Sequence, residues 1–260
     1  AGLYAGQGFT DASGNQVFPN RNLDFSKAHH YVLAHNLLFA NGLRLKTEAY
    51  YQYLYNIPVS SGINDSFSAL NVFDGFVGDV LTNKGTGRNF GVEVSAQKPL
   101  EKNFYYLISA SVYDAKYRGS DNVLRNARYN GNYAFAFTGG KEFVKEKEGK
   151  NRVIGLNVRA LYQGGFRATP VDTNASIAAQ QTVFIETQAF SQQLQDYFRI
   201  DLRISLKKNK PNYTRLLALD LQNALGTQNV AYQYFDTQKQ QIVTRFQLGL
   251  TPNLSYRIEF

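Results

Sequence analysis

Residues 245–260 read Arg-Phe-Gln-Leu-Gly-Leu-Thr-Pro-Asn-Leu-Ser-Tyr-Arg-Ile-Glu-Phe. Every even position is apolar, aromatic or Pro: Phe246, Leu248, Leu250, Pro252, Leu254, Tyr256, Ile258 and Phe260. Every odd position is polar, charged or Gly. Successive side chains of a strand point to opposite faces, so this stretch predicts one strand with a greasy side and a wet side. It is longer than the ~5–6 residues of a usual globular strand and suits a bilayer crossing, which takes ~9–11 tilted residues.

The same zigzag recurs upstream. Residues 43–55 set Leu43, Leu45, Thr47, Ala49, Tyr51, Tyr53 and Tyr55 against Arg44, Lys46, Glu48, Tyr50 and Gln52. Residues 88–98 set Phe90, Val92, Val94 and Ala96 against Glu93, Ser95 and Gln97, and residues 104–114 set Phe104, Tyr106, Ile108, Ala110 and Val112 against Ser109, Ser111 and Tyr113. Residues 132–143, 152–164 and 214–223 behave alike, and 28–39 forms a further strand with a blurred pattern at His35 and Asn36. The cleanest internal case is 197–207, with Phe198, Ile200, Leu202, Ile204 and Leu206 against Arg199, Asp201, Arg203, Ser205 and Lys207. A row such as Arg199, Asp201 and Arg203 faces water, because an unpaired charge in a dry core costs several kcal/mol. That makes about nine strands and an all-β, antiparallel, up-and-down fold.

The connections separate a membrane sheet from a soluble sandwich. Short ones fall at 40–42, 99–103, 146–151 and 208–213; long ones at 1–26, 56–87, 115–131, 165–195 and 224–243. Short and long in alternation is the habit of outer-membrane barrels, with tight periplasmic turns and long outer loops. On that parity the last strand ends on the short-turn side and Phe260 lies at the membrane interface, where aromatics collect.

Composition is compatible with this and narrows other classes. The chain has 260 residues, 43% of them hydrophobic, with 19 Phe, 18 Tyr and no Trp. No run of about 18 apolar residues exists, which removes a transmembrane helix but not a barrel. With zero Cys there are no disulfides, thiolate zinc sites or Cys nucleophiles. The net charge of +8 is spread over strands and turns rather than gathered in the stripe that nucleic acid requires. His29 and His30 are adjacent, so a strand sends them to opposite faces and away from a shared metal. The glycines at 85, 87 and 91 give GxGxxxG entering a strand, unlike the GxGxxG that opens a helix around a dinucleotide. Carboxylates are interleaved with cations, as in a charge ladder and not a glycosidase pair. No enzyme, cofactor or metal is therefore expected. Residues 1–26 are Gly- and Asn-rich loop material without a secretory leader.

With these residues laid out, the chain resembles the carboxy-terminal part of a TonB-dependent outer-membrane receptor of the Bacteroidetes type. The resemblance rests on Asn22-Leu23-Asp24-Phe25-Ser26-Lys27 with His29-His30-Tyr31-Val32-Leu33, on Leu43-Arg44-Leu45-Lys46, and on Glu48 to Asn56. Further on it rests on Asn83-Lys84-Gly85-Thr86-Gly87-Arg88-Asn89, Tyr197-Phe198-Arg199, Leu219-Asp220-Leu221-Gln222-Asn223 and Leu254 to Phe260. It runs from about residue 20 to the end. The family implies a 22-stranded barrel around a plug domain, importing a scarce nutrient such as a ferric chelate or a glycan with energy relayed by TonB. On that pattern residues 1–26 are an outer loop and 27–260 are carboxy-terminal barrel strands, with the plug and the other strands absent. Partners implied are outer-membrane lipid, the missing strands and plug, the barrel-assembly machinery, and TonB only through the plug. Tyr256, Ile258 and Phe260 resemble the signal read by that machinery. The lumen-facing set is Arg44, Lys46, Glu48, Arg159, Arg199, Asp201 and Arg203. Candidate ligand contacts in the outer loops are Phe73, Phe76, Tyr232 and Tyr234, among aromatics that also include Phe67, Phe184, Phe190 and Phe235. Two other classes fit the zigzag: a small passive pore, and a soluble β-sandwich module for glycans.

Overall fold

The computed structural model describes the chain except residues 1–5, 7, 63–64, 73–78 and 148–149, with backbone alone at Lys147 and Lys150. Nine long strands form one antiparallel meander: β1 (Lys27–Leu38), β2 (Arg44–Ser60), β3 (Leu81–Glu101), β4 (Phe104–Arg118), β5 (Tyr133–Lys147), β6 (Lys150–Gln163), β7 (Tyr197–Lys210), β8 (Tyr213–Gln222) and β9 (Thr251–Glu259). Their spatial order is their chain order, and a short strand, Leu124–Asn126, adds to the end of β4. Each strand hydrogen-bonds only to its sequence neighbours, so the connections fall alternately at the two ends of the sheet. Short turns follow β1, β3, β5 and β7; long segments follow β2, β4, β6 and β8.

The sheet is open. β1 and β9 are its edges and do not pair with each other, and every residue of β1 is exposed.

The register carries the two-faced pattern across the whole sheet. One row of directly opposed residues runs Leu37, Leu45, Ala96, Ile108, Phe137, Ala160, Ile200. One residue along each strand lies the opposite face, where the row is Leu38, Arg44, Gln97, Leu107, Thr138, Arg159, Asp201. A slip of one residue anywhere would mix the two sets, so the alternation itself specifies the pairing.

Among the described residues no element packs over the apolar face. Ile204 on the interior strand β7 is 55% exposed, and Val112 and Leu254 are 68% and 70% exposed. Among the described residues the buried apolar side chains, Ile57, Val59, Leu81, Tyr117, Ala189 and Phe235, lie mostly towards the long-connection end, with Ala218 the exception in the sheet. That is a small core for a chain of this length, which ordinarily buries well over half its surface through a contiguous interior.

Three expectations change. The stretch 245–260 is not one strand: Gln241–Phe246 pairs with Val230–Asp236 in a separate hairpin, and only Thr251–Glu259 joins the sheet. Local pairing wins there because the Asp236 carboxylate accepts from the amides of Gln238 and Lys239 and closes the turn. The segment at 224–243 is thus mostly that hairpin. The connection placed at 56–87 shrinks to 61–80, because β2 continues past a bulge near Asn56 and β3 begins at Leu81. Asn56 makes the bend at φ 54°, in the left-handed region that Asn tolerates better than most residues.

Candidate functional site

The polar face of the sheet is a wall of paired charges and hydroxyls. Arg199 Nε donates to Asp201 Oδ1 at 2.6 Å, and Asp201 Oδ1 also accepts from the Asn223 amide at 2.9 Å. Arg203 sits opposite Asp220 on β8 and bonds both carboxylate oxygens, at 3.0 and 3.2 Å. Lys46 and Glu48, two apart on β2 and therefore on one face, meet at 2.6 Å. Lys46 answers a repulsion, since Glu48 lies directly opposite Glu93 on β3. Arg44 and Arg159 complete the expected set, and the register puts all seven residues on this one face.

Tyrosines cross the wall where glycine makes room. Tyr105 donates to Asn157 Oδ1 at 2.7 Å, and its ring lies against Gly140; a Cβ there would collide with both partners. At Gly91 a Cβ would meet Tyr50 Oη and Tyr113 Cβ, each at 2.8 Å. These glycines buy close packing of polar side chains over the backbone.

At the long-connection end the loops fold onto this polar face. Tyr117 continues the β4 alternation on the polar side and is fully buried, edge-on to Phe190 at 5.9 Å. Arg128 stacks over the same Phe190 ring at 5.7 Å. A short 3-10 turn, Ala69–Asn71, is capped by Ser68 and sets Leu70 against Leu54 and Gly87. Asn130, fully buried, ties the segment after β4 together: it accepts from the Ala115 amide and donates to Asp114 and Asn126. Asp121 pairs with Arg125 at 2.6 Å, both nearly buried. Burial pushes the Asp121 carboxyl up, but the Arg125 bond and the Val123 amide outweigh it and hold it below the usual range. The connection after β6 adds helix α1 (Thr173–Ala179), capped by Asp172, and Glu186, whose carboxylate accepts from Ser66.

The remaining expected residues are scattered. Tyr232 and Tyr234 lie 6.0 Å apart in the Val230–Asp236 hairpin, with Arg245 over the Tyr234 ring at 5.5 Å. Tyr232 is exposed, whereas neighbouring Phe235 is buried and its amide bonds Thr182. Phe73 and Phe76 fall outside the described residues. Tyr256 and Ile258 sit on the apolar face of β9, opposite Leu217 and Arg215, and Phe260 is fully exposed beyond it. His29 stacks on Tyr55 at 5.1 Å on the apolar face, and His30 stands edge-on to Tyr50 at 6.4 Å on the other.

The sequence reading passed over Tyr117, Asn130 and the Asp121–Arg125 pair. Tyr117 had a signal, because the β4 alternation extends through it. Asn130 had none; its role arises from three backbone segments meeting.

Comparisons with known proteins found no matching family model, no similar curated protein and no similar solved structure. The functional reading therefore rests on residues and geometry.

Proposed function

We propose that this chain forms the carboxy-terminal wall of an outer-membrane β-barrel, in a receptor of the TonB-dependent kind that imports a scarce nutrient. The carrying observation is the bare apolar face, continuous from β1 to β9, backed by a face of charges and hydroxyls. Soluble monomers rarely expose a contiguous apolar patch above a few hundred Å². Here the lining of such a face would be lipid, and the charged side would face the aqueous interior and the plug.

The dimensions support this. From Tyr133 to Phe143 on β5, both on the apolar face, the chain advances roughly 33 Å at ~3.3 Å per residue. Tilted by about 40°, that is ~25 Å along the membrane normal, the height of the apolar band on outer-membrane barrels. Aromatics mark both limits: Tyr31, Tyr51, Phe90, Tyr133 and Tyr162 towards the long connections, and Phe104, Phe143 and Tyr213 towards the short turns. Aliphatic residues such as Val94, Val158, Leu202 and Leu219 fill the middle. The importer reading, as opposed to a passive pore, is supported by the loops drawn onto the polar face and by the residue series that resembles the receptor family. A sandwich would need a second layer over the apolar face.

These 260 residues contain no Cys, so an introduced thiol is the one reactive position within them, and the unsubstituted protein serves as the labelling control. Single-cysteine variants Leu202→Cys, Arg203→Cys and Ile204→Cys are made in the full-length protein and treated in intact outer membranes with a charged, membrane-impermeant maleimide. Arg203→Cys is expected to label from the aqueous interior once reagent is admitted. Leu202→Cys and Ile204→Cys are expected to stay unlabelled until detergent or denaturant strips the lipid. Equal labelling of all three in buffer, with a protein that needs no detergent, sinks the proposal.

A further inference from the structure

The apolar face carries a cluster of cations where it meets the long connections. Arg88 on β3 lies directly opposite Lys116 on β4, and Arg118 lies opposite Thr86 one step further out. Tyr53 completes the first row beside Arg88, and Tyr51 stands in the row below. Together they border a recess of about 370 Å³. Three charges clustered on the apolar face are costly unless something answers them. Asp114 answers in part: it is 3.5 Å from Lys116 Nζ and is also bonded by Asn130. Arg118 donates to the Asn122 carbonyl and side chain. Arg88 Nε is buried and has no hydrogen-bond partner among the described residues. Among the described residues, one carboxylate against three cations leaves the recess positive.

We propose, resting on the barrel reading above, that Arg88, Lys116 and Arg118 hold the phosphate of an anionic lipid in the outer leaflet. Guanidinium and ammonium groups bind phosphate oxygens through charge-assisted hydrogen bonds, and Arg88, Lys116 and Arg118 all border the recess. The occupant is a lipid and not a free anion because of what lies below. Phe90 of β3 stands opposite Asp114, the partner of Lys116, and below that pair the face is apolar on both strands, with Val92 opposite Val112 and Val94 opposite Ala110. This lane accepts acyl chains while the head group sits on the cations. The flanking tyrosine hydroxyls occupy the level at which amphipathic rings settle in a bilayer.

The test uses the full-length protein in non-ionic detergent, with native mass spectrometry as readout and dioleoyl phosphatidate, dioleoyl phosphatidylcholine and inorganic phosphate as probes. Wild type is expected to retain phosphatidate over the choline lipid. Millimolar inorganic phosphate is expected not to displace it. The variant R88Q/K116Q/R118Q should lose retention by about tenfold or more, the scale of losing at least one charge-assisted bond. Lys208→Gln, on the same face at the opposite end, should retain it fully. A heat-modifiability gel verifies that each variant is folded. A folded, heat-modifiable protein in which the triple variant retains phosphatidate as wild type does overturns the lipid site alone. Complete displacement by inorganic phosphate also overturns it, in favour of a free-anion site. A protein that stays soluble without detergent overturns the barrel reading and the lipid site together.

Discussion

Leu202 and Arg203 are neighbours in sequence and opposites in environment. Leu202 lies mid-strand on the apolar face, between Val158 and Leu221, and Arg203 lies on the polar face, bonded to Asp220. In the barrel reading, a lysine at 202 carries its ammonium to the bilayer midplane, and Leu202→Lys should destabilise the folded protein by ~2–4 kcal/mol. Arg203→Leu removes a partly exposed ion pair and leaves Asp220 in a hydrated wall, so its cost should be about 1 kcal/mol or less. Denaturant titration of the heat-modifiable form, in detergent or liposomes, measures both. Equal costs at the two positions would contradict the assignment of faces.

At the scale of elements, one carboxylate ties β5, β6 and the segment entering β7. Asp196 accepts from the hydroxyls of Tyr133 and Tyr162 and from the Gly165 amide. The Tyr133 bond first, then that of Tyr162, holds its pKa below the usual carboxylate range. The sign follows. A carboxyl with a folded pKa below its unfolded value of about 3.9 stabilises the fold above that pH, and loses the contribution as pH falls through the folded value. Melting scans of wild type and Asp196→Asn should therefore differ near neutrality and converge in acid. The gap should be small, since the cluster is solvent-accessible and screened. A gap that widens in acid would contradict the bonding.

These elements also differ in how plainly the sequence encodes them. β7 was legible because Phe198 to Leu206 alternate against charges with no interruption, and the register follows from that alternation alone. The seven residues of the polar face were legible for the same reason. The end of β2 was not, because a bulge near Asn56 breaks the period of two while pairing continues to Ser60. The terminal stretch misled because alternation is blind to partners. Phe246 and Leu254 keep the same parity, yet one pairs with Val230 and the other with Leu219. The loop cap was illegible because Tyr117, Phe190 and Arg128 come from distant segments that only tertiary folding brings together.

At the scale of the whole molecule, the open edges set the terms. β1 and β9 each present a row of backbone groups without strand partners, at the same depth as the apolar band. In hydrocarbon each unsatisfied N–H or C=O costs several kcal/mol, so lipid tolerates a sheet like this only when further strands close it. In the proposed importer those strands lie before β1 and return to β9, and closure makes the two edges as well protected as the middle. Hydrogen exchange followed by mass spectrometry reads this strand by strand. In the full-length protein, peptides spanning Lys27–Leu38 and Thr251–Glu259 should exchange as slowly as those spanning Tyr197–Lys210, within about tenfold. In the 260-residue chain alone they should exchange with the fastest loops while β4 to β7 hold longest. Slow exchange at β1 and β9 in the isolated chain would mean that the edges find each other, and a small self-closed pore would replace the importer wall as the better account.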